Sequence, residues 1–253
     1  MRKFFNLLKD VLVTDLVFVL PFIIKWYYRR LITHEIVPLG LNNSRSAILY
    51  MHGSHQGTTP VLLLHGLYGH PFTFLHVADS LQKAKIGPIF SLRLFYNEHF
   101  PHVHRALLKQ ALDEIEKMMK ENSKDFKKII VVGHSMGAIE GAYSAFVDED
   151  KRLLALVSIA GRLKVVPCLH KECPEHLKAT IEKIYQGIKK NTEFPLYQIA
   201  GRQDWNAPIE ATAVRTDDSC CHIIDDAMHF NVLYNPETKQ KLLEFIQHLI
   251  RAQ

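Results

Sequence analysis

A serine framed by glycines, Gly133-His134-Ser135-Met136-Gly137, follows directly on the apolar run Ile129-Ile130-Val131-Val132 and leads into a small-residue stretch ending near Phe146. Four apolar residues in a row read as a strand buried on both faces of a parallel sheet. The glycines and alanines beyond read as a helix lying close to that sheet. A serine on such a strand-to-helix turn is held strained with its hydroxyl exposed, and side chains at Gly133 and Gly137 would clash across the turn. The chemistry this suggests is nucleophilic attack on an acyl carbon. The hydroxyl needs a base to take its proton, and the developing oxyanion needs fixed N–H donors. The pentapeptide alone is a weak signal; its strand–turn–helix setting gives it force.

Candidates for the remaining parts lie at other strand ends. His65-Gly66-Leu67-Tyr68-Gly69 follows the strand-like Val61–Leu64. Gly66 lets the backbone approach a substrate carbonyl, so the N–H groups of Leu67 and Met136 are the expected oxyanion hole. Of the 15 histidines, His99, His102 and His104 read as solvent-facing. His229 differs, because it stands in Asp225-Asp226-Ala227-Met228-His229-Phe230-Asn231, between the last strand-like run and the last helix. Asp204 lies just beyond the strand-like Leu196–Ala200, with Asp225, Asp226 and Glu210 as alternative carboxylates and Asp226 also suited to shaping its own loop. Open α/β sheets bind ligands at the carboxyl ends of their strands, where all of these fall.

The elements that must position them alternate in type. Strand-like runs at 47–50, 61–64, 89–92, 129–132, 153–159, 196–200 and 221–224 are separated by amphipathic patterns, and a last helix is expected from Asn235-Pro236. This predicts an α/β fold with a mostly parallel central sheet and helices on both faces. The 253 residues are 47% hydrophobic with a net charge of +5, which excludes a disordered chain and a polytopic membrane protein. The expected organisation is a leader at 1–30, a linker at 31–45 and one domain at 46–253.

At His65-Gly66, Gly-His-Ser-Met-Gly, Gly201-Arg202-Gln203-Asp204 and His229 the chain resembles the α/β-hydrolase family, especially its lipase and esterase members, over roughly residues 46–251. The resemblance implies Ser135 as nucleophile, His229 as general acid/base and Asp204 as its orienting carboxylate. It also implies cleavage of carboxylic esters with neither metal nor organic cofactor. Thioester hydrolysis, acyl transfer and amide cleavage share the acyl-enzyme and stay open, as does a non-catalytic, membrane-tethered binding module. Family members often carry a lid where residues 162–194 stand here. That insertion shows a helical stripe of Leu177, Ile181, Ile184, Tyr185 and Ile188, equally suited to permanent packing on the core.

The leader is the most apolar part of the chain. Val11 to Ile24 falls short of the roughly 20 residues that cross a bilayer as a helix, and Asp15 interrupts it. Trp26, Tyr27 and Tyr28 with Lys25, Arg29 and Arg30 suit a membrane interface, so an apolar anchoring helix is expected, with a cytoplasmic catalytic domain if it spans. A core-packed or partner-binding helix and a secretory signal are the alternatives. The expected partners are a lipophilic ester and a membrane surface; the cations gather in no block outside the leader, so nucleic acid is not expected. Cys168, His170 and Cys173 match no closed zinc spacing, and of the adjacent Cys220 and Cys221 at least one is expected to be a buried thiol.

Overall fold

The computed structural model describes residues 32–41, 44–52, 57–67, 69–94, 101–122, 126–167, 173–215, 217 and 219–252. The leader at 1–30 lies outside them. Eight strands alternate with helices: β1 (Ile32–Leu41), β2 (Ser44–His52), β3 (Val61–Leu64), α1 (Leu75–Lys83), β4 (Ile89–Leu94), α2 (Pro101–Asn122), β5 (Ile129–His134), α3 (Met136–Phe146), β6 (Leu153–Ile159), α4 (Glu175–Lys190), β7 (Leu196–Gly201), β8 (Cys221–Ile224) and α5 (Pro236–Arg251).

The strands form one sheet in the order β1-β2-β4-β3-β5-β6-β7-β8. β2 runs antiparallel to both neighbours, and β4-β3-β5-β6-β7-β8 pair in parallel. Side chains alternate across a strand, so an all-apolar strand feeds two cores. Leu62, Leu64, Ile129 and Val131 enter one core together with residues of α2, α3 and α4. Val61, Leu63, Ile130 and Val132 enter the other, with residues of α1 and α5. The expected mostly parallel sheet covered on both faces is thus the architecture found.

Local chemistry explains the element ends that matter for the site. Asn235 caps α5, its side chain accepting the Glu237 N–H at 2.9 Å, and Pro236 occupies the first helical position, whose N–H needs no partner. Gly137 brings α3 onto the sheet: a Cβ there would stand 2.2 Å from the Leu64 carbonyl oxygen. Only glycine permits that approach, and it sets the height of the helix above β3 and β5.

Two expectations change. The stretch 31–45, read as a linker, holds β1 and the start of β2, which pair antiparallel from Leu41↔Ser44 to Ile32↔His52. Pro38 and Gly40 mask the strand pattern, and an edge strand is where proline is tolerated. The 162–194 insertion, read as lid-like, contributes α4 as a helix of the fold's frame. Ile181, Ile184 and Ile188 are buried in the core shared with α2 and α3. A Cβ on Gly187 would lie 2.3 Å from the Phe146 carbonyl oxygen, so α4 rests directly on the end of α3. Each buried isoleucine contributes roughly 1.5–3 kcal/mol, which opposes a swing of α4 as a lid. Among the described residues, no helix is long and apolar enough to cross a membrane.

Candidate active site

The parallel register assembles the site. Gly133 of β5 pairs with Leu64 of β3 and Ser158 of β6, so the turns after β3 and β5 lie side by side at the carboxyl rim. Ser135 sits on the turn into α3 with φ 52° and ψ −115°, a left-handed conformation rare for a residue bearing a Cβ. Its N–H donates to the Ile159 carbonyl at 2.9 Å. A Cβ on Gly133 would stand 2.5 Å from the Ala138 nitrogen, which is why the turn closes this tightly.

Facing the hydroxyl is His229, on the loop after β8. Its Nε2 lies 2.9 Å from the Ser135 Oγ, and its Nδ1 lies 2.8 Å from the Asp204 Oδ2. A carboxylate only accepts, so Nδ1 carries the hydrogen and Nε2 keeps the lone pair that can take the serine proton. Asp204 Oδ1 accepts the backbone N–H groups of Asn206 at 2.9 Å and Ala207 at 2.7 Å. Both His229 and Asp204 are only 3% exposed, so the pair works away from bulk solvent. Ser135, half-buried, is the member open to a substrate.

The turn after β3 supplies the complementary part. The Gly66 carbonyl accepts from His65 Nδ1 at 2.8 Å and from the Gly69 N–H at 2.9 Å. In a trans peptide the N–H points opposite to the carbonyl, so pinning that oxygen also fixes the direction of the Leu67 N–H. A Cβ on Gly66 would come within 3.1 Å of the Ser135 Cβ, so this turn stands beside Ser135. Met136 opens α3, and the first N–H groups of a helix have no intrahelical acceptor. Of the two donors expected from sequence, Leu67 follows the Gly66 that stands beside Ser135, and Met136 is the next residue in the chain.

Comparison with known proteins bears on the fold that carries these residues. The family described as PGAP1-like alpha/beta domain matches residues 96–192. No curated protein matches the chain by sequence. Among solved structures, Est1E from Butyrivibrio proteoclasticus aligns with TM-score 0.63 at 17% identity, covering 86% of this chain and 100% of that one. The Pyrococcus furiosus esterase Pf2001 aligns with TM-score 0.58 at 18% identity, covering 80% and 87%. An alpha/beta hydrolase fold protein from Burkholderia ambifaria aligns with TM-score 0.54 at 13% identity, covering 83% and 98%. The chain has the α/β-hydrolase fold.

Within this fold it is Asp204 that bonds the His229 ring, and the alternative carboxylates pair elsewhere or stand exposed. Asp225 pairs with Arg202 at 2.6 Å on the surface. Asp226 accepts from Asn235 Nδ2 at 3.3 Å, which shapes its own loop, and Glu210 is exposed. His104, expected to face solvent, is buried 3.7 Å from Glu140 of α3. It sits one turn before Leu107 and Leu108 on the buried face of α2, a periodic signal the cluster of three histidines obscured. His99 and the side chain of His102 lie outside the described residues. So do Cys168 and His170; Cys173 is buried, Cys220 and Cys221 are half-buried, and among the described residues no cluster is arranged to hold a metal.

Sequence reading missed the braces behind the site. Arg162, in the loop after β6, donates from Nε to the Asn206 carbonyl at 2.6 Å and from Nη2 to the Asn206 Oδ1. It thereby holds the turn whose N–H groups grip Asp204. On the other side His76 of α1 bonds the Leu233 carbonyl at 2.5 Å and stacks on Tyr234. Burial pushes the His65 imidazole down to about 4. It is therefore neutral, donating from Nδ1 while its Nε2 accepts the Leu94 N–H at 3.2 Å.

Proposed function

We propose that the protein is a serine hydrolase of carboxylic esters. The observation that carries this reading is the hydrogen-bonded line Ser135–His229–Asp204 with its serine on a strained turn. Ser135 Oγ attacks the ester carbon as His229 Nε2 takes its proton. The carbonyl oxygen, now an anion, accepts from the Leu67 and Met136 N–H groups, and Asp204 stabilises the imidazolium. When the carbon–oxygen bond breaks, His229 returns the proton to the leaving alcohol, and an acyl group remains on Ser135. Water then attacks the acyl-enzyme, giving its proton to His229, and the carboxylic acid leaves as Ser135 regains its hydrogen. None of these steps calls on a metal or organic cofactor.

A lipophilic acyl ester taken from a membrane surface is the substrate class this reading favours. Three large apolar residues are exposed among the described ones: Trp205 at 53%, Tyr234 at 44% and Leu67 at 37%. Each stands on a loop carrying part of the site: Leu67 in the oxyanion turn, Trp205 next to Asp204, Tyr234 beyond His229. The apolar leader, with aromatic and basic residues at its end, supports delivery to such a surface.

A fluorophosphonate probe should label Ser135 in the wild type and fail to label Ser135→Ala. Absence of labelling in well-folded wild-type protein would falsify the hydrolase reading. A chain-length series of acyl esters, with thioester and amide counterparts and with or without vesicles, then fixes the substrate. Activity confined to short soluble esters, unchanged by deletion of residues 1–30, sinks the lipid part alone.

A further inference from the structure

His134 is buried at the second position of the serine pentapeptide, and the chemistry above does not use it. Its Nε2 lies 2.7 Å from the carbonyl oxygen of His229, so the imidazole donates to the backbone of the base itself. The two rings meet at 5.1 Å between centroids, and the Phe230 ring lies 6.0 Å away. On its other side, a Cβ on Gly66 would come 3.1 Å from His134 Nδ1, which places the ring between the oxyanion turn and the base loop.

We propose that His134 is the positioning residue for the general base, locking the His229 backbone to the residue covalently joined to the nucleophile. The inference rests on the serine-hydrolase reading. His229 stands on a loop braced through Met228, whose N–H donates to the Asn231 Oδ1 and whose carbonyl accepts the Val232 N–H. The Asp204 contact holds the far nitrogen of the His229 ring, which leaves the residue's own peptide to be fixed. An anchor at its carbonyl fixes it. Because His134 and Ser135 are neighbours, their Cα atoms are about 3.8 Å apart, and displacement of the base from the nucleophile must break this bond. A misplacement of about 1 Å can cost roughly 100-fold in rate.

The anchor must also stay uncharged, since an imidazolium forms on His229 during catalysis. Burial and the neighbouring His229 push the His134 imidazole down to about 3, so it remains a neutral Nε2–H donor at working pH.

The test compares His134→Met, of similar bulk without an N–H donor, with His134→Gln, which restores one at similar reach. Expected for His134→Met is a kcat loss of about 10- to 100-fold with KM within twofold. His134→Gln should recover kcat to within about fivefold of wild type, although both variants lose similar thermal stability. Equal kcat in the two variants, or wild-type kcat in His134→Met, overturns the proposal. Should the variants not fold, nitrogen-15 histidine spectra of wild-type protein decide. His134 must be the Nε2–H tautomer, and the Nδ1–H tautomer sinks the idea. Fluorophosphonate labelling of wild-type Ser135 keeps the parent reading separate: a labelled enzyme with an unaffected His134→Met loses this proposal alone.

Discussion

The Ser135 turn and the loops of Asp204 and His229 reach the same few ångströms by different means. Around Ser135 the geometry is made by backbone and by missing side chains. Gly133 and Gly137 allow contacts at which a Cβ would stand 2.5 Å or less from main-chain atoms, and the Ser135 N–H is tied to β6. Around Asp204 and His229 the geometry is made by side chains reaching across loops: Arg162 to Asn206, Asp204 to two N–H groups, His134 to His229. The first region is part of the folded core and stands or falls with it. The second can lose a contact, keep the fold and lose rate, so damage to the two regions should register in different measurements.

Asp204→Asn should show this separation most strongly. Loss of the carboxylate removes both the tautomer control and the stabilisation of the imidazolium, for an expected drop in kcat of about 10³–10⁴-fold. The thermal midpoint should move little, because Oδ1 remains to accept from Asn206 and Ala207. Steady-state kinetics and calorimetry on the same preparation check both halves, and a large loss of stability would place Asp204 in the folding core instead.

Gly137→Ala attacks the other region. The added methyl meets the Leu64 backbone oxygen, which cannot rotate away, so denaturant unfolding should show a loss of about 3 kcal/mol or more. A variant as stable as wild type would mean that α3 can lift from β3.

Arg162→Met leaves Asp204 and His229 in place but frees the turn at Asn206. An approximately tenfold fall in kcat, with KM and stability nearly unchanged, is expected. Asp225→Asn at the surface pair with Arg202 should change kcat less than about twofold, consistent with the small worth of exposed ion pairs. If these two variants rank in reverse, the acid loop is held from its surface and not from Arg162.

The same contrast explains what could be read from sequence. The β5–α3 turn is local: an apolar run, two glycines and a small-residue helix occur consecutively, so residues 129–146 carry their own geometry. Asp204 and His229 could be placed at strand ends, but which carboxylate faces the base depends on how two loops fold over each other. Asp204 and Asp225 both stand just beyond a strand, and only the folded loops show that Asp204 is buried against His229 while Asp225 pairs with Arg202 at the surface. The role of α4 was ambiguous because the spacing of Ile181, Ile184 and Ile188 defines an apolar stripe without saying what covers it. β1 was hidden by Pro38 and Gly40. Arg162 and His134 carried no signal, since a partner far along the chain leaves no period or spacing to detect.

The course of β1 has a consequence for delivery of substrate. Ile32 pairs with His52, which pairs with Ile89, level with Val61 and hence Ile130, at the opposite pole of the sheet from Ser135. Five residues of strand and four strand spacings separate that entry point from the serine, roughly 17 Å along and 19 Å across, or about 25 Å in all. A chain leaving at Ile32 would need about five extended residues to come level with the Ser135 rim and about eight to span the distance to Ser135 itself. On the proposed reading of residues 1–30 as an anchor, a segment joined at that pole would act as a lever arm, and its length would decide whether the mouth of the site meets the surface or turns away from it.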